Sequence, residues 1–156
     1  MEAAVELEDI EKVYREHADR LWRALVLWSG SVDVASDAVA EAFTQVLARG
    51  DLVRDKAAWV RRAAYRIASG ELKRSRMRTV FPVEMPVEAP EPLVDVARAL
   101  GKLTPHQRAA VVLADYAGYR HAEIARIIGS TPGAVALHVH RGRRRLRQLL
   151  GDQDDG

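Results

Sequence analysis

Cysteine is absent from the 156 residues of this sequence, which excludes disulfides, thiolate metal sites and cysteine nucleophiles. Long apolar runs are also absent, and no stretch approaches the roughly 18 to 20 residues that a membrane-spanning helix needs. The first residues are acidic, whereas a secretory signal begins with basic residues followed by apolar ones. We therefore expect a cytoplasmic protein without membrane insertion.

Signals of an active site are missing as well. Serines are few, and the sequence has neither a glycine-rich phosphate loop nor a nucleophile elbow. No two of the five histidines lie four residues apart, as a helical zinc site would require. These histidines are His17, His106, His121, His138 and His140. We expect no catalytic residues, no metal and no cofactor, and hence no enzyme.

Charge is strongly segregated along the chain, although the net charge is only +2. Residues 56–78 hold 8 basic side chains against 1 acidic, and residues 96–150 hold 10 against 2. Residues 1–55 are acidic, with 12 acidic side chains against 6 basic. Two separate basic blocks favour a nucleic-acid ligand, because they would neutralise its phosphates and release counterions. A solvated helix end would explain each block alone equally well.

Helical periodicity dominates the first half of the chain. One amphipathic helix ends near Gly30 and a second ends near Gly50. The buried stripe predicted for the first helix contains Ile10, Val13, Tyr14, His17, Ala18, Leu21, Leu25 and Trp28. The stripe predicted for the second contains Ala35, Ala38, Val39, Ala42, Phe43, Val46 and Leu47, with Asp33, Asp37 and Glu41 on the opposite face.

A third helix is predicted from about Lys56 to Met77, with apolar residues facing inward and a row of basic residues facing solvent. Its inward side is formed by Trp59, Val60, Ala63, Ala64, Ile67 and Leu72. Residues 79–93 then hold four of the six prolines and no basic residue, which rules out a regular helix there. This composition is typical of an extended linker.

The second half predicts a helix-turn-helix. Thr104-Pro105 and Thr131-Pro132 each provide an N-cap followed by proline at the first helical position. The short helix before the second cap ends at Gly129, and the last long helix follows. In that helix Val135, Val139, Gly142 and Leu146 are predicted to form the buried stripe.

The predicted fold class is therefore all-α, with two small helical domains joined by a proline-rich linker. Residues 1–78 would form a three- or four-helix bundle, and residues 94–150 the helix-turn-helix domain. Residues 79–93 would be the acidic linker, and residues 151–156 an acidic tail.

Several motifs, in order and at the expected spacing, carry a family resemblance. Residues 103–108 (Leu-Thr-Pro-His-Gln-Arg), 122–125 (Ala-Glu-Ile-Ala) and 140–146 (His-Arg-Gly-Arg-Arg-Arg-Leu) resemble the fourth conserved region of extracytoplasmic-function sigma factors. Residues 14–17 (Tyr-Arg-Glu-His) and 37–43 (Asp-Ala-Val-Ala-Glu-Ala-Phe), with Trp59 and its basic helix, resemble the second region. The proline-rich segment matches the position of the interdomain linker in this family.

The resemblance implies a subunit that binds core RNA polymerase and directs promoter-specific transcription initiation. The first domain would dock on the polymerase clamp and bind the downstream promoter element as a melted single strand. The second would bind the upstream element as duplex DNA. An anti-sigma factor, which often restrains this family, is a further candidate partner.

Several site residues are inferred from positions of this sequence that match the motifs of the family. Asp37 and Glu41 correspond to polymerase contacts, although Ala40 stands where the family has glutamine. The DNA contacts expected in the first domain are Arg62, Tyr65, Arg66, Lys73 and Arg74, since arginine holds phosphates and planar groups stack on unpaired bases. Arg66 and Gly70 replace the family's usual asparagine and aspartate.

In the last helix the predicted DNA contacts are Thr131, Ala134, Leu137, His138, Arg141, Arg143, Arg144 and Arg145. Ala136, Leu137 and His138 stand where related sigma factors carry lysine, serine and arginine. Alanine and leucine cannot donate hydrogen bonds to bases, so direct readout should depend mainly on Arg141 and His138. The neighbouring arginines would hold phosphates without regard to sequence.

Two other functions stay open from the sequence. A stand-alone helix-turn-helix regulator would share the motifs after Leu103, but it would need a dimerisation or receiver domain. A small helical enzyme that acts on nucleic acid would need metal ligands, and the sequence shows no cluster of them.

Overall fold

The computed structural model describes residues 2–74 and 91–154, which form seven α-helices and no strand. The helices are α1 (Glu2–Ser29), α2 (Val32–Arg49), α3 (Lys56–Arg74), α4 (Glu91–Gly101), α5 (Pro105–Val111), α6 (His121–Ile128) and α7 (Pro132–Asp154). A 3₁₀ turn (Gly50–Leu52) follows α2, and a π-helical turn (Val112–Tyr116) continues α5. The predicted all-α class is confirmed. Residues 79–90 of the predicted linker lie outside the described residues, as does the predicted end of the third helix. Residues 91–93 form the first turn of α4, so the prediction that residues 79–93 contain no regular helix was wrong at its end, because proline is tolerated in the first turn of a helix.

The helix boundaries follow from local chemistry. The hydroxyl of Ser31 accepts a hydrogen bond from the Val34 amide and caps α2. Thr104 and Gln107 form a capping box that starts α5, with Pro105 at the first helical position. The predicted starts at Thr104 and Thr131 are therefore confirmed.

The first three helices pack as a bundle in which α2 contacts both α1 and α3. Leu21, Leu25, Val46 and Val60 are almost completely buried at its centre. Small residues such as Ala63 complete the packing of α3, because alanine lets the helices approach closely. Most of the apolar stripes predicted from the sequence are thus confirmed.

Two residues depart from those stripes. Leu47 is 51% exposed, since it lies at the edge of the α2 stripe rather than at its centre. Tyr14 is 56% exposed although one edge of its ring packs against Phe43, with ring centroids 5.0 Å apart. Both predictions of burial were wrong, because helical periodicity gives the direction in which a side chain points but not how far the neighbouring helix extends to cover it.

The two halves of the chain share packing. One continuous buried cluster includes Leu21 and Val60 from the first half and Leu100 and Val112 from the second. Helix α3 contacts α6, and α1 contacts α4, α5 and the π-helical turn. Among the described helices, none combines the length and apolar character needed to cross a bilayer.

Candidate nucleic-acid interface

Helices α6 and α7 form a helix-turn-helix. Gly129 ends α6 with φ 71° and ψ 47°, a left-handed conformation that glycine adopts without a steric penalty. The hydroxyl of Thr131 then accepts a hydrogen bond from the Ala134 amide at 3.2 Å and caps α7. Ile124 and Val135 are completely buried between the two helices. The orientation of α7 is therefore fixed by packing and by its cap.

The outward face of α7 is strongly cationic. Arg141, Arg144 and Arg145 are exposed, and none of them forms an ion pair within the described residues. Leu137 on the same face is 45% exposed, an unusual position for a large apolar side chain. Guanidinium groups beside an exposed apolar side chain suit a ligand with phosphates and methyl groups, which is the chemistry of a DNA major groove.

Arg143 is held by an acidic residue instead. Its Nε donates to Oδ2 of Asp115 at 2.8 Å, and its Nη2 donates to Oδ1 of the same carboxylate. This bidentate pair connects α7 to the π-helical turn, and the hydrogen bond to Asp115 raises the pKa of Arg143. Arg143 therefore orients α7, whereas the neighbouring arginines face solvent.

His138 lies against a second histidine. Its ring centroid is 5.4 Å from that of His106 on α5. Partial burial lowers the pKa of His138, and the nearby His106 and Arg141 lower it further. This environment favours the neutral imidazole, which can act as a hydrogen-bond donor or acceptor.

The exposed face of α3 carries a second basic surface. Arg62, Arg66, Lys73 and Arg74 are all exposed, and Arg74 also contacts Glu71 at 3.3 Å. The predicted outward direction of these four side chains is confirmed.

Tyr65 does not lie with those basic side chains. Its ring packs against Trp28 of α1, with centroids 4.6 Å apart. Burial raises the pKa of Tyr65 to about 12, and the charge of Arg108 reduces that shift. This ring belongs to the packing between helices, so stacking on a base at Tyr65 would require it to leave Trp28.

An acidic surface lies on α2. Asp37 and Glu41 are exposed, and Gln45 Nε2 donates to Glu41 Oε1 at 3.0 Å along the same helix. Ala40 is exposed beside them, where a longer polar side chain would have extended the surface. The predicted outward position of both carboxylates is confirmed.

A contact that the sequence did not predict joins the basic helix α3 to the helix-turn-helix. Nη2 of Arg61 lies 3.2 Å from Oε2 of Glu123 on α6, and the Arg61 side chain is only 13% exposed. The same guanidinium lies over the Tyr119 ring, 4.8 Å from its centroid. Since 62 positions separate Arg61 from Glu123, no local pattern in the sequence could have revealed the pair.

Comparisons with known proteins agree with this geometry. Residues 93–146 match the family model described as "Sigma-70, region 4". The chain is 32% identical to the ECF RNA polymerase sigma factor SigM of Mycobacterium tuberculosis, over 94% of this chain and 79% of that protein. It is 28% identical to SigL of the same species, over 95% of this chain and 92% of that protein.

The chain belongs to the extracytoplasmic-function sigma factors. It is a sigma factor that directs promoter-specific transcription. A solved structure supports the fold: that of the sigma factor RpoE in complex with the anti-sigma factor NepR from Bartonella quintana. The two chains have a TM-score of 0.78 at 24% identity, with 92% of this chain and 98% of that chain covered.

The resemblance inferred from the motifs is therefore confirmed, and the alternative of a stand-alone regulator has no support. In this sigma factor residues 2–74 form helices only, whereas an α/β receiver domain would contain strands. No cluster of three or more histidine, aspartate or glutamate side chains that could hold a metal ion occurs within the described ranges. The helix-turn-helix that the sequence predicted coincides with the matched sigma region.

Proposed function

We propose that this sigma factor binds core RNA polymerase through its first three helices and binds promoter DNA through both basic surfaces. The observation that carries the proposal is the exposed face of α7, the second helix of a helix-turn-helix. There Arg141, Arg144 and Arg145 form no ion pair with any residue that the structure describes. Such a face fits the major groove of the upstream promoter element. Leu137 would contact a thymine methyl group, and Thr131 and Ala134 lie at the end of α7 that enters the groove.

The exposed side chains of α2 would bind the polymerase, and those of α3 would bind the melted DNA. Asp37 and Glu41 on α2 would contact the polymerase clamp, since their carboxylates are exposed and opposite the buried stripe. Arg62, Arg66 and Lys73 on α3 would hold the phosphates of the melted downstream element. Arg74, which lies one helical turn after Gly70, would bind phosphates of the same DNA strand.

The organisation proposed for the chain is two helical domains, residues 1–78 and 94–150, joined by the acidic proline-rich segment 79–93 and followed by the tail 151–156. The last three residues of that segment begin α4, and residues 151–154 of the tail continue α7. We propose that the protein works in the cytoplasm and catalyses no reaction itself. An anti-sigma factor is a further proposed partner, because the structure of similar fold contains one.

Reconstituted transcription tests this proposal. Purified core polymerase, the full chain and a library of promoters should give initiation at a defined class of promoters that core polymerase alone does not use. A matched reaction with an Arg141→Ala, Arg144→Ala and Arg145→Ala triple variant should lose that selectivity. Initiation that does not depend on the protein would refute the proposed function.

A further inference from the structure

A cleft of about 630 Å³ lies between α3 and the C-terminal end of α6. Helix α3 contributes Trp59, Arg62, Arg66 and Lys73, and α6 contributes Arg126. The two walls therefore come from different halves of the chain, and neither half would form the cleft without the other.

The cleft is unbalanced in charge. Four of its lining side chains are cations, and no carboxylate of the described residues lines it. The nearest acidic side chains on these two helices are engaged elsewhere, Glu71 with Arg74 and Glu123 with Arg61. Arg62, Arg66, Lys73 and Arg126 themselves form no ion pair within residues 2–74 and 91–154. Like charges on opposite walls repel, so an anion between them would stabilise the packing of α3 against α6.

The charge, the aromatic lining and the size of the cleft indicate what kind of ligand it can hold. The C-terminus of α6 adds a partial negative charge of about half an elementary charge, and the four cations outweigh it. Trp59 is partly buried, and Arg49 lies over its ring at 5.2 Å from the centroid, which places a fifth cation beside the cleft. Guanidinium groups bind phosphate oxygens in bidentate fashion, and the cleft volume is in the range of small-molecule sites.

We propose that this cleft binds a small anion with several linked phosphates, a nucleoside polyphosphate or an inorganic polyphosphate. Arg62, Arg66 and Lys73 hold it from one wall and Arg126 from the other. Because both halves contribute, the bound anion tightens their packing and occupies side chains that melted DNA would also use. The site depends on the packing of α3 against α6 and not on promoter binding, and Arg126, the residue that tests it, is not among the proposed DNA contacts.

Calorimetric titration of the full chain with tripolyphosphate, ATP, GTP and orthophosphate at fixed salt tests the proposal. We expect one saturable site for tripolyphosphate or a nucleotide, and binding at least tenfold weaker for orthophosphate. Arg126→Ala should weaken binding at least tenfold. Arg23→Ala removes an exposed arginine that does not line the cleft and is the matched control, with affinity unchanged.

The outcomes separate the ligand sources. A nucleotide that binds at least tenfold more tightly than tripolyphosphate, with the difference lost in Trp59→Leu, identifies a nucleoside polyphosphate. Equal affinities for tripolyphosphate and the nucleotides identify an inorganic polyphosphate as the ligand. The proposal is overturned if wild type and Arg126→Ala bind tripolyphosphate and nucleotides equally well. It is also overturned if the titration shows many weak sites that neither Arg126→Ala nor Trp59→Leu changes. The proposed promoter function would survive that result, because duplex promoter binding by Arg126→Ala should equal that of wild type in every case.

Discussion

The side chain of Arg108 reaches from α5 to the end of α1, where its Nε donates to the Trp28 carbonyl oxygen at 2.6 Å. Arg108 is 7% exposed, and Trp28 lies in the last turn of its helix, where carbonyl groups lack partners within the helix. Arg108, in the second half of the chain, thus donates to a carbonyl group at the C-terminal end of α1, in the first half. This buried hydrogen bond, together with the Arg61–Glu123 pair, fixes how the two halves pack.

We expect Arg108→Ala to lower the free energy of unfolding by about 1 to 3 kcal/mol, because it leaves the Trp28 carbonyl buried without its donor. Arg98→Ala removes an exposed arginine at the limit of ion-pair distance from Asp95, and the change should stay within about 0.5 kcal/mol. Urea unfolding followed by circular dichroism measures both. Equal midpoints for wild type and Arg108→Ala would contradict this role.

Tyr65 should make stability depend on pH above 10. Its pKa is about 12 in the folded protein, against about 10 in an unfolded chain, because burial disfavours the phenolate. The folded state therefore favours the neutral phenol, so the contribution is fully present below pH 10 and is lost as the pH rises towards 12. Unfolding should be measured from pH 8 to 12 for wild type and Tyr65→Phe.

In that series Tyr65→Phe should lose less stability between pH 10 and 12 than wild type does. Absorbance near 295 nm reports phenolate formation directly, and the wild-type curve minus the Tyr65→Phe curve should have its midpoint near pH 12. A midpoint near 10 would mean that Tyr65 is solvated and does not pack against Trp28 as described.

Gly142 allows α5 and α7 to approach closely. A Cβ atom at this position would lie 2.5 Å from Val111 Cγ2 and 3.3 Å from the Gln107 carbonyl oxygen. We expect Gly142→Ala to destabilise the fold by about 1 to 3 kcal/mol, although alanine favours a helix. At Gly133 on the same helix, a Cβ atom would meet no other part of the described structure within 4 Å beyond its own helix backbone and chain neighbours, so Gly133→Ala should be neutral or stabilising by up to about 1 kcal/mol. Thermal unfolding of both variants tests this difference.

The α7 stripe shows how far the sequence could predict the fold. Val135 and Val139 were placed inward by helical spacing alone, and both are buried. Gly142 was assigned to the same stripe, but its role as the contact point with α5 depends on a crossing that periodicity does not encode. The pair Arg61–Glu123 and the Asp115 partner of Arg143 could not be predicted, because each depends on how distant segments dock.

The acidic surface on α2 gives the prediction for polymerase binding. Changing Asp37 and Glu41 to lysine together should weaken binding to core polymerase at least tenfold, with little change in thermal stability, because both side chains are exposed. Glu8→Lys with Asp9→Lys makes the same change of charge on exposed residues of α1 and should bind normally. Co-purification with core polymerase and thermal unfolding report the two properties. Equal binding by both double variants would remove Asp37 and Glu41 from the interface.

The last prediction separates base readout from phosphate binding on α7. Arg141 shares its face with Leu137 and His138, whereas Arg143 lies about 200° around the helix from Arg141 and pairs with Asp115. Arg141→Ala should cost about 1 to 3 kcal/mol on the preferred upstream element and relax the preference there. Arg144→Ala should weaken all sequences similarly and reduce the slope of affinity against salt by about one unit.

Arg143→Ala is the matched control within the same arginine cluster. It should change the salt slope less than Arg144→Ala, because the Asp115 carboxylate already neutralises that guanidinium. Affinities of all three variants should be measured on matched and scrambled duplexes at several salt concentrations. If Arg141→Ala lowers both affinities equally, Arg141 is a phosphate contact. Sequence preference would then depend on His138, on DNA shape or on positioning by the polymerase, since Ala134 and Leu137 offer no hydrogen-bond donor to a base.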